Sequence, residues 1–118
     1  MDAHILIVDD DRLLREVLAD FLIANGYRVD TAENASLALA KFSAGKYQLA
    51  IIDQSMPGMT GIDLMIELLE QDPDLQCLIM TGFPTIDLVY NAMLEGASSY
   101  IIKPFQLIEL LNIVQKMV

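Results

Sequence analysis

The sequence predicts an α/β domain: a doubly wound parallel sheet covered by helices on both faces and built from five strand–helix pairs. Three observations carry this reading. Short apolar runs such as Ile5-Leu6-Ile7-Val8, Leu49-Ala50-Ile51-Ile52 and Leu75–Met80 are bounded by turn signals. They lack polar alternation, as expected of strands buried on both faces. Strand-like and helix-like patterns then alternate five times, with no internal repeat, low-complexity stretch or linker between them. Finally, 118 residues of which 54% are hydrophobic suit one domain, residues 1–118. A domain of that size buries about two-thirds of its unfolded surface.

In chain order, the first strand spans about His4–Asp9, and a helix follows from near Arg12 to Asn25. Leu14, Val17, Leu18, Phe21 and Leu22 form its apolar stripe, and Gly26 stands where a helix-ending glycine belongs. Tyr27–Thr31 is the second strand, and Asn34 caps a short helix through Phe42, with Gly45 near its end. Gln48–Asp53 is the third strand. Met56-Pro57-Gly58-Met59 turns the chain, and Thr60-x-x-Asp63 opens a helix over Gly61–Gln71 in the manner of a capping box. Leu75–Thr81 is the fourth strand. Thr85 caps a helix over Ile86–Glu95, closed by Gly96. Ser99–Lys103 and Gln106–Val118 complete the pattern, with Leu107, Leu110, Leu111, Val114 and Val118 facing inward on the last helix.

Seventeen acidic against seven basic residues give a net charge of −10, which opposes phosphate-backbone contact and argues against direct nucleic-acid binding by this domain. The lone Cys77 sits inside an apolar run and reads as a core thiol, so no internal disulfide is expected. The only histidine, His4, reads as exposed and idle. No apolar run approaches 18 residues and no signal-peptide pattern opens the chain, so the expectation is a soluble, cytoplasmic protein without membrane contact.

The chemistry lies at the strand ends. Asp9 and Asp10 close the first strand, Asp53 the third, Thr81 the fourth and Lys103 the fifth. In an open α/β sheet the ligand crevice lies beyond the carboxyl ends of the strands, where strand order reverses. At about 5 Å and an effective dielectric near 20, each like-charge pair there costs roughly 3 kcal/mol before solvent relaxation. A sequence tolerates that for a cation or for chemistry. Mg²⁺ suits one or two carboxylates, a carbonyl and a phosphate oxygen, and Mn²⁺ substitutes readily. A carboxylate beside such an ion is a competent nucleophile toward phosphorus, and an ammonium such as Lys103 neutralises developing charge. Asp11, in contrast, reads as a helix N-cap.

Four segments together resemble the receiver domain of two-component response regulators: Ile5–Asp11, Ile51–Gly61, Leu78–Gly82 and Gly96–Phe105. The resemblance covers essentially the whole chain, and the stretch from Met80 to Phe105 looks most like receivers of nitrogen-regulator type. It implies a (βα)5 flavodoxin-like sheet of order 2-1-3-4-5. It also implies Asp53 as phosphoacceptor, Asp9, Asp10 and the Ser55 carbonyl beside Asp53 as holders of Mg²⁺, and Lys103 on the phosphate. Thr81 and Tyr100 would form a hydroxyl–aromatic switch pair, and Ser55 and Phe83 would govern water access. The Lys103–Pro104 bond would be cis. The implied function is a phosphorylation switch rather than a turnover enzyme. A histidine kinase or phosphotransfer protein supplies the phosphoryl group, and the surface of the fourth helix, fifth strand and fifth helix changes in response. An effector domain beyond the C-terminus and a phosphorylation-dependent homodimer are further expectations, the latter resting on Leu88, Leu94, Ile108 and Ile113 outside the inward stripes.

Rival readings fit less of the chain. Asp9-x-Asp11 matches the nucleophile motif of haloacid-dehalogenase-type phosphatases, with Asp9 as nucleophile. That alternative leaves Asp53 without a role, finds no acidic pair on the fourth strand and lacks room for a cap domain. A flavodoxin-like flavin carrier would meet repulsion between its phosphate and the strand-end carboxylates. A dinucleotide-binding domain would need Gly-x-Gly-x-x-Gly after the first strand.

Overall fold

The computed structural model describes residues 3–118, so the first two residues of the expected span 1–118 lie outside the description. Five strands, β1 (His4–Val8), β2 (Arg28–Ala32), β3 (Leu49–Asp53), β4 (Gln76–Thr81) and β5 (Ser99–Ile102), alternate with five helices. These are α1 (Arg12–Ala24), α2 (Ala35–Lys41), α3 (Gly61–Gln71), α4 (Ile86–Leu94) and α5 (Leu107–Met117). The elements appear in the expected order, with ends shifted by at most one residue. All four strand pairings are parallel, in the order β2-β1-β3-β4-β5. The chain leaves β1 for one edge, returns past it to β3 and continues to the other edge. The order therefore reverses between β1 and β3, which opens a crevice above their carboxyl ends.

Side-chain alternation sorts the sheet into two cores. Leu6, Val8, Ala50, Ile52 and Ile79 pack with Leu64, Met65 and Leu68 of α3, whereas Ile5, Ile7, Leu49, Ile51 and Ile101 pack with Leu18, Leu22, Leu110 and Val114 of α1 and α5. Every residue of β1 and β3 is buried, and a fully buried Leu or Ile contributes about 1.5–3 kcal/mol. Cys77 belongs to the first core, where burial pushes its thiol up to about 12. Four helices start on a side-chain cap: Asp11, Asn34, Thr60 and Thr85 each accept the N–H three residues on, worth about 1 kcal/mol apiece. Gln106 precedes α5 without one.

Three expectations are corrected. Val17 is 40% exposed and Val118 36%, because the buried stripe of α1 narrows to Leu18 and Leu22 and α5 ends before Val118. Leu88 and Ile113 are not free surface but pack partly against the two cores. His4 is buried rather than exposed and idle. Its Nε2 lies 3.0 Å from Asp30, while the Tyr47 hydroxyl donates to the same carboxylate at 2.7 Å. The register places His4 two residues before Leu6, which pairs with Asp30, so both side chains fall on one face of adjacent strands. Burial works to raise the Asp30 carboxyl, but the Tyr47 bond and the charges of His4, Lys46 and Lys41 outweigh it and hold the group low. Burial, aided by Asp30, pushes the Tyr47 hydroxyl well up. No helix among the described residues is long and apolar enough to cross a membrane.

Candidate phosphoacceptor and metal site

Parallel register builds the site. Val8 pairs with Ile52, so the next residues, Asp9 and Asp53, emerge side by side at the switch point. Asp53 also pairs with Met80, and Met80 with Ile101. Two residues beyond Ile101, and therefore on the same face, Lys103 reaches back across the sheet edge. Its ammonium lies 3.0 Å from Asp9 Oδ2 and 3.1 Å from Asp53 Oδ1. Asp9 is fully buried and Asp53 nearly so, whereas Asp10 is exposed.

The electrostatics follow from that packing. Burial, then the neighbouring Asp9 charge, raises the Asp53 carboxyl, and the Lys103 contacts and the Ser55 N–H pull against the rise without cancelling it. Burial works to lower the Lys103 ammonium, but Asp9 and Asp53 overcome it and hold the group above its ordinary value. A fixed cation thus bridges two carboxylates that would otherwise repel. One ligand oxygen from each of Asp9, Asp10 and Asp53 falls within 4.8 Å of the others. An octahedral Mg²⁺ with ligands about 2.1 Å away places its oxygens about 3 to 4 Å apart, so this all-oxygen set fits the ion after a small contraction.

The remaining candidate residues lie around this centre. Thr81 is buried at the end of β4, where its hydroxyl oxygen accepts the Phe83 N–H at 3.1 Å and keeps its own O–H as a donor. Tyr100 stands lower on the same face of the β4–β5 pair, 37% exposed, and does not join the acidic cluster. Ser55 is exposed, and Phe83 is 78% exposed, projecting into solvent rather than over Asp53. The Lys103–Pro104 peptide is cis. Asp11 is not aimed at the centre; its carboxylate accepts the Leu14 N–H at 3.2 Å as the cap of α1.

Three contributors escaped the sequence reading. Gly61 opens α3 directly against the Asp53 backbone: a Cβ there would lie 2.5 Å from the Asp53 carbonyl oxygen. Gln54 ties the same junction, its side-chain oxygen accepting the Ile62 N–H at 2.9 Å and its carbonyl the Gly61 N–H at 3.1 Å. Arg15 donates to the Asp9 carbonyl at 2.7 Å. Only Gly61 left a sequence signal, as a glycine where a helix starts.

Residues 5–115 match the family model described as the response regulator receiver domain. The chain is 37% identical over 116 residues to the response regulator protein FleR of Pseudomonas aeruginosa, covering 98% of this chain and 24% of that one. It is 34% identical over 120 residues to the chemotaxis protein CheY of Thermotoga maritima, covering 98% of this chain and all of that one. The chain thus spans about a quarter of the length of the first of these relatives. The non-phosphorylated HemR receiver domain from Leptospira biflexa superposes with a TM-score of 0.94 at 29% identity, over 98% of this chain and 94% of that one. The phosphatase alternative falls with these findings, and Asp11, spent as a helix cap, gives it no second carboxylate. With a reversed strand order, an acidic trio at the switch point and a matching sequence over residues 5–115, this chain belongs to the response regulator receiver domain family of two-component systems.

Proposed function

We propose that the domain is a phosphorylation switch in which Asp53 takes a phosphoryl group from the phosphohistidine of a histidine kinase or phosphotransfer protein. The observation that carries this reading is one lysine bridging two buried carboxylates beside an exposed third. An Asp53 oxygen attacks phosphorus, the P–N bond breaks, and its electron pair returns to the imidazole nitrogen. Asp9, Asp10, Asp53 and the Ser55 carbonyl would hold Mg²⁺ or Mn²⁺, which supplies charge neutralisation for the phosphoryl oxygens. Lys103 leaves its carboxylate bridge to meet the phosphate, and the Thr81 O–H turns toward it. The domain promotes its own phosphorylation and works as a signalling element in the cytoplasm. A small phosphodonor such as acetyl phosphate is expected to add one phosphoryl group by intact mass with Mg²⁺ present and none when the metal is chelated. Equal labelling in both would remove the reading.

Output is then a binding event on the α4–β5–α5 side, where Ile86, Tyr90, Leu94, Tyr100, Ile102 and Ile108 are exposed. That surface suits either an effector domain beyond this chain or a second copy. Phosphorylation is expected to shift the sedimentation coefficient toward a dimer, and Ile108→Lys to weaken the shift. Identical sedimentation with and without phosphate would refute a switchable dimer.

The phosphorylated form is expected to be long-lived relative to chemotaxis-type receivers. Ser55 is too short to hold an in-line water, and Phe83, free in solvent here, can fold over the phosphate and exclude it. Decay after donor removal should quicken in Phe83→Glu and Ser55→Asn. Unchanged rates in both would sink the claim.

A further inference from the structure

We propose that Arg15 is a positioning residue for the metal-binding loop, an inference that rests on the metal site proposed above. Asp9 lies one residue beyond β1, outside the regular ladder, yet every polar group it carries is held. Its N–H donates to the Ala32 carbonyl at 3.2 Å. Its Oδ1 accepts the Asp11 N–H at 2.9 Å, and its Oδ2 the Lys103 ammonium at 3.0 Å. The remaining group, the carbonyl oxygen, accepts Arg15 Nη1 at 2.7 Å across six residues. That carbonyl belongs to the same planar peptide as the Asp10 N–H. Fixing its direction fixes the plane, and with it the direction in which the Asp10 carboxylate leaves the chain. Asp10 is the exposed member of the trio and stands two residues past the end of β1, next to the peptide that Arg15 holds, so its aim depends on this plane more than that of Asp9 or Asp53 does. A planar guanidinium, charged at every working pH, suits such a clamp better than a flexible ammonium.

The two consequences of Arg15 for a bound cation have opposite signs, which makes the idea decidable. As a nearby positive charge, Arg15 repels Mg²⁺, so its removal by charge alone tightens binding. As a clamp, it orients Asp10, so its removal weakens binding, by about tenfold if it acts as other groups that orient metal ligands do. Calorimetric titration of Mg²⁺ into wild type, Arg15→Met, Arg15→Gln, Arg12→Met and Asp10→Asn separates the possibilities. Arg12, on the same turn, pairs with the exposed Glu16 at 3.0 Å and controls for lost charge. The expected result is a roughly tenfold weaker site in Arg15→Met, a similar loss in Arg15→Gln, and a change under twofold in Arg12→Met. Should Arg15→Met not fold by circular dichroism, Arg15→Gln carries the same comparison. Affinity equal to or tighter than wild type in the folded Arg15 variants overturns the clamp while leaving the site intact. So does an equal loss in Arg12→Met. A wild type that binds no Mg²⁺, or binds it as well in Asp10→Asn, overturns the metal site and the clamp with it.

Discussion

Asp53→Asn is expected to accept no phosphoryl group from either a kinase or a small phosphodonor, while Asp11→Asn keeps the label. The amide conserves the shape of the side chain at the end of β3 and can still receive the Lys103 ammonium on its oxygen, so the fold should persist. What it loses is the anionic oxygen that the proposed reaction requires. The substitution also removes the raised carboxylate that burial and Asp9 disfavour, so without metal the variant should melt at least as high as wild type at neutral pH. The sign follows from a folded-state value above the unfolded one: ionised Asp53 weakens the fold fully at pH above the folded value, and the penalty fades as pH falls from there and is gone below the unfolded value. Asp11 caps α1 alone, and an Asn there still accepts the Leu14 N–H, so Asp11→Asn should change stability little and leave the reaction untouched. Intact-mass analysis and thermal melts read both outcomes. A label that survives Asp53→Asn would place the nucleophile elsewhere.

Gly61→Ala is expected to be the most damaging methyl group that can be added near the site. The new carbon would stand 2.5 Å from the Asp53 oxygen, 2.9 Å from its carbonyl carbon and 2.9 Å from Gln54 Cα. All three are backbone atoms and none can rotate aside, so α3 or the end of β3 must move. Overpacking of this kind costs about 3 kcal/mol, or about 10 °C in melting temperature for a domain this size. The displacement also pulls Asp53 from its alignment with Asp9 and Lys103, so Mg²⁺ binding should weaken together with stability. Gly82→Ala, with open space around its added carbon, is the control and should melt within a few degrees of wild type. If Gly61→Ala melts alongside Gly82→Ala, the close approach of α3 to Asp53 is not a constraint on this fold.

Much of this site was legible because its signals are short-range. A strand buried on both faces is a contiguous apolar run, and a carboxylate that ends such a run is conspicuous: Asp9 after Val8, Asp53 after Ile52. Caps are equally local, which is why Asp11, Asn34, Thr60 and Thr85 could be read three residues from the amides they hold. The misreadings came where an environment depends on a distant neighbour. Val17 fits the helical stripe by spacing, but the buried part of α1 is narrower than that stripe. His4, first in its strand, looked like surface until β2 brought Asp30 alongside and Tyr47 closed over both.

The order of the elements, their capping and the acidic character of the strand ends were therefore determined by the sequence itself, since each depends on residues within one or two turns of chain. Tertiary structure alone decided which carboxylates face each other and which cation joins them. Lys103 meets Asp9 across 94 residues and Asp53 across 50, and only the parallel register of β1, β3, β4 and β5 brings those positions to one edge. The steric demand at Gly61 and the reach of Arg15 to the Asp9 carbonyl belong to the same class. They arise from close approach between elements, which no local periodicity encodes because it exists only once the strands have paired and the helices have closed over them.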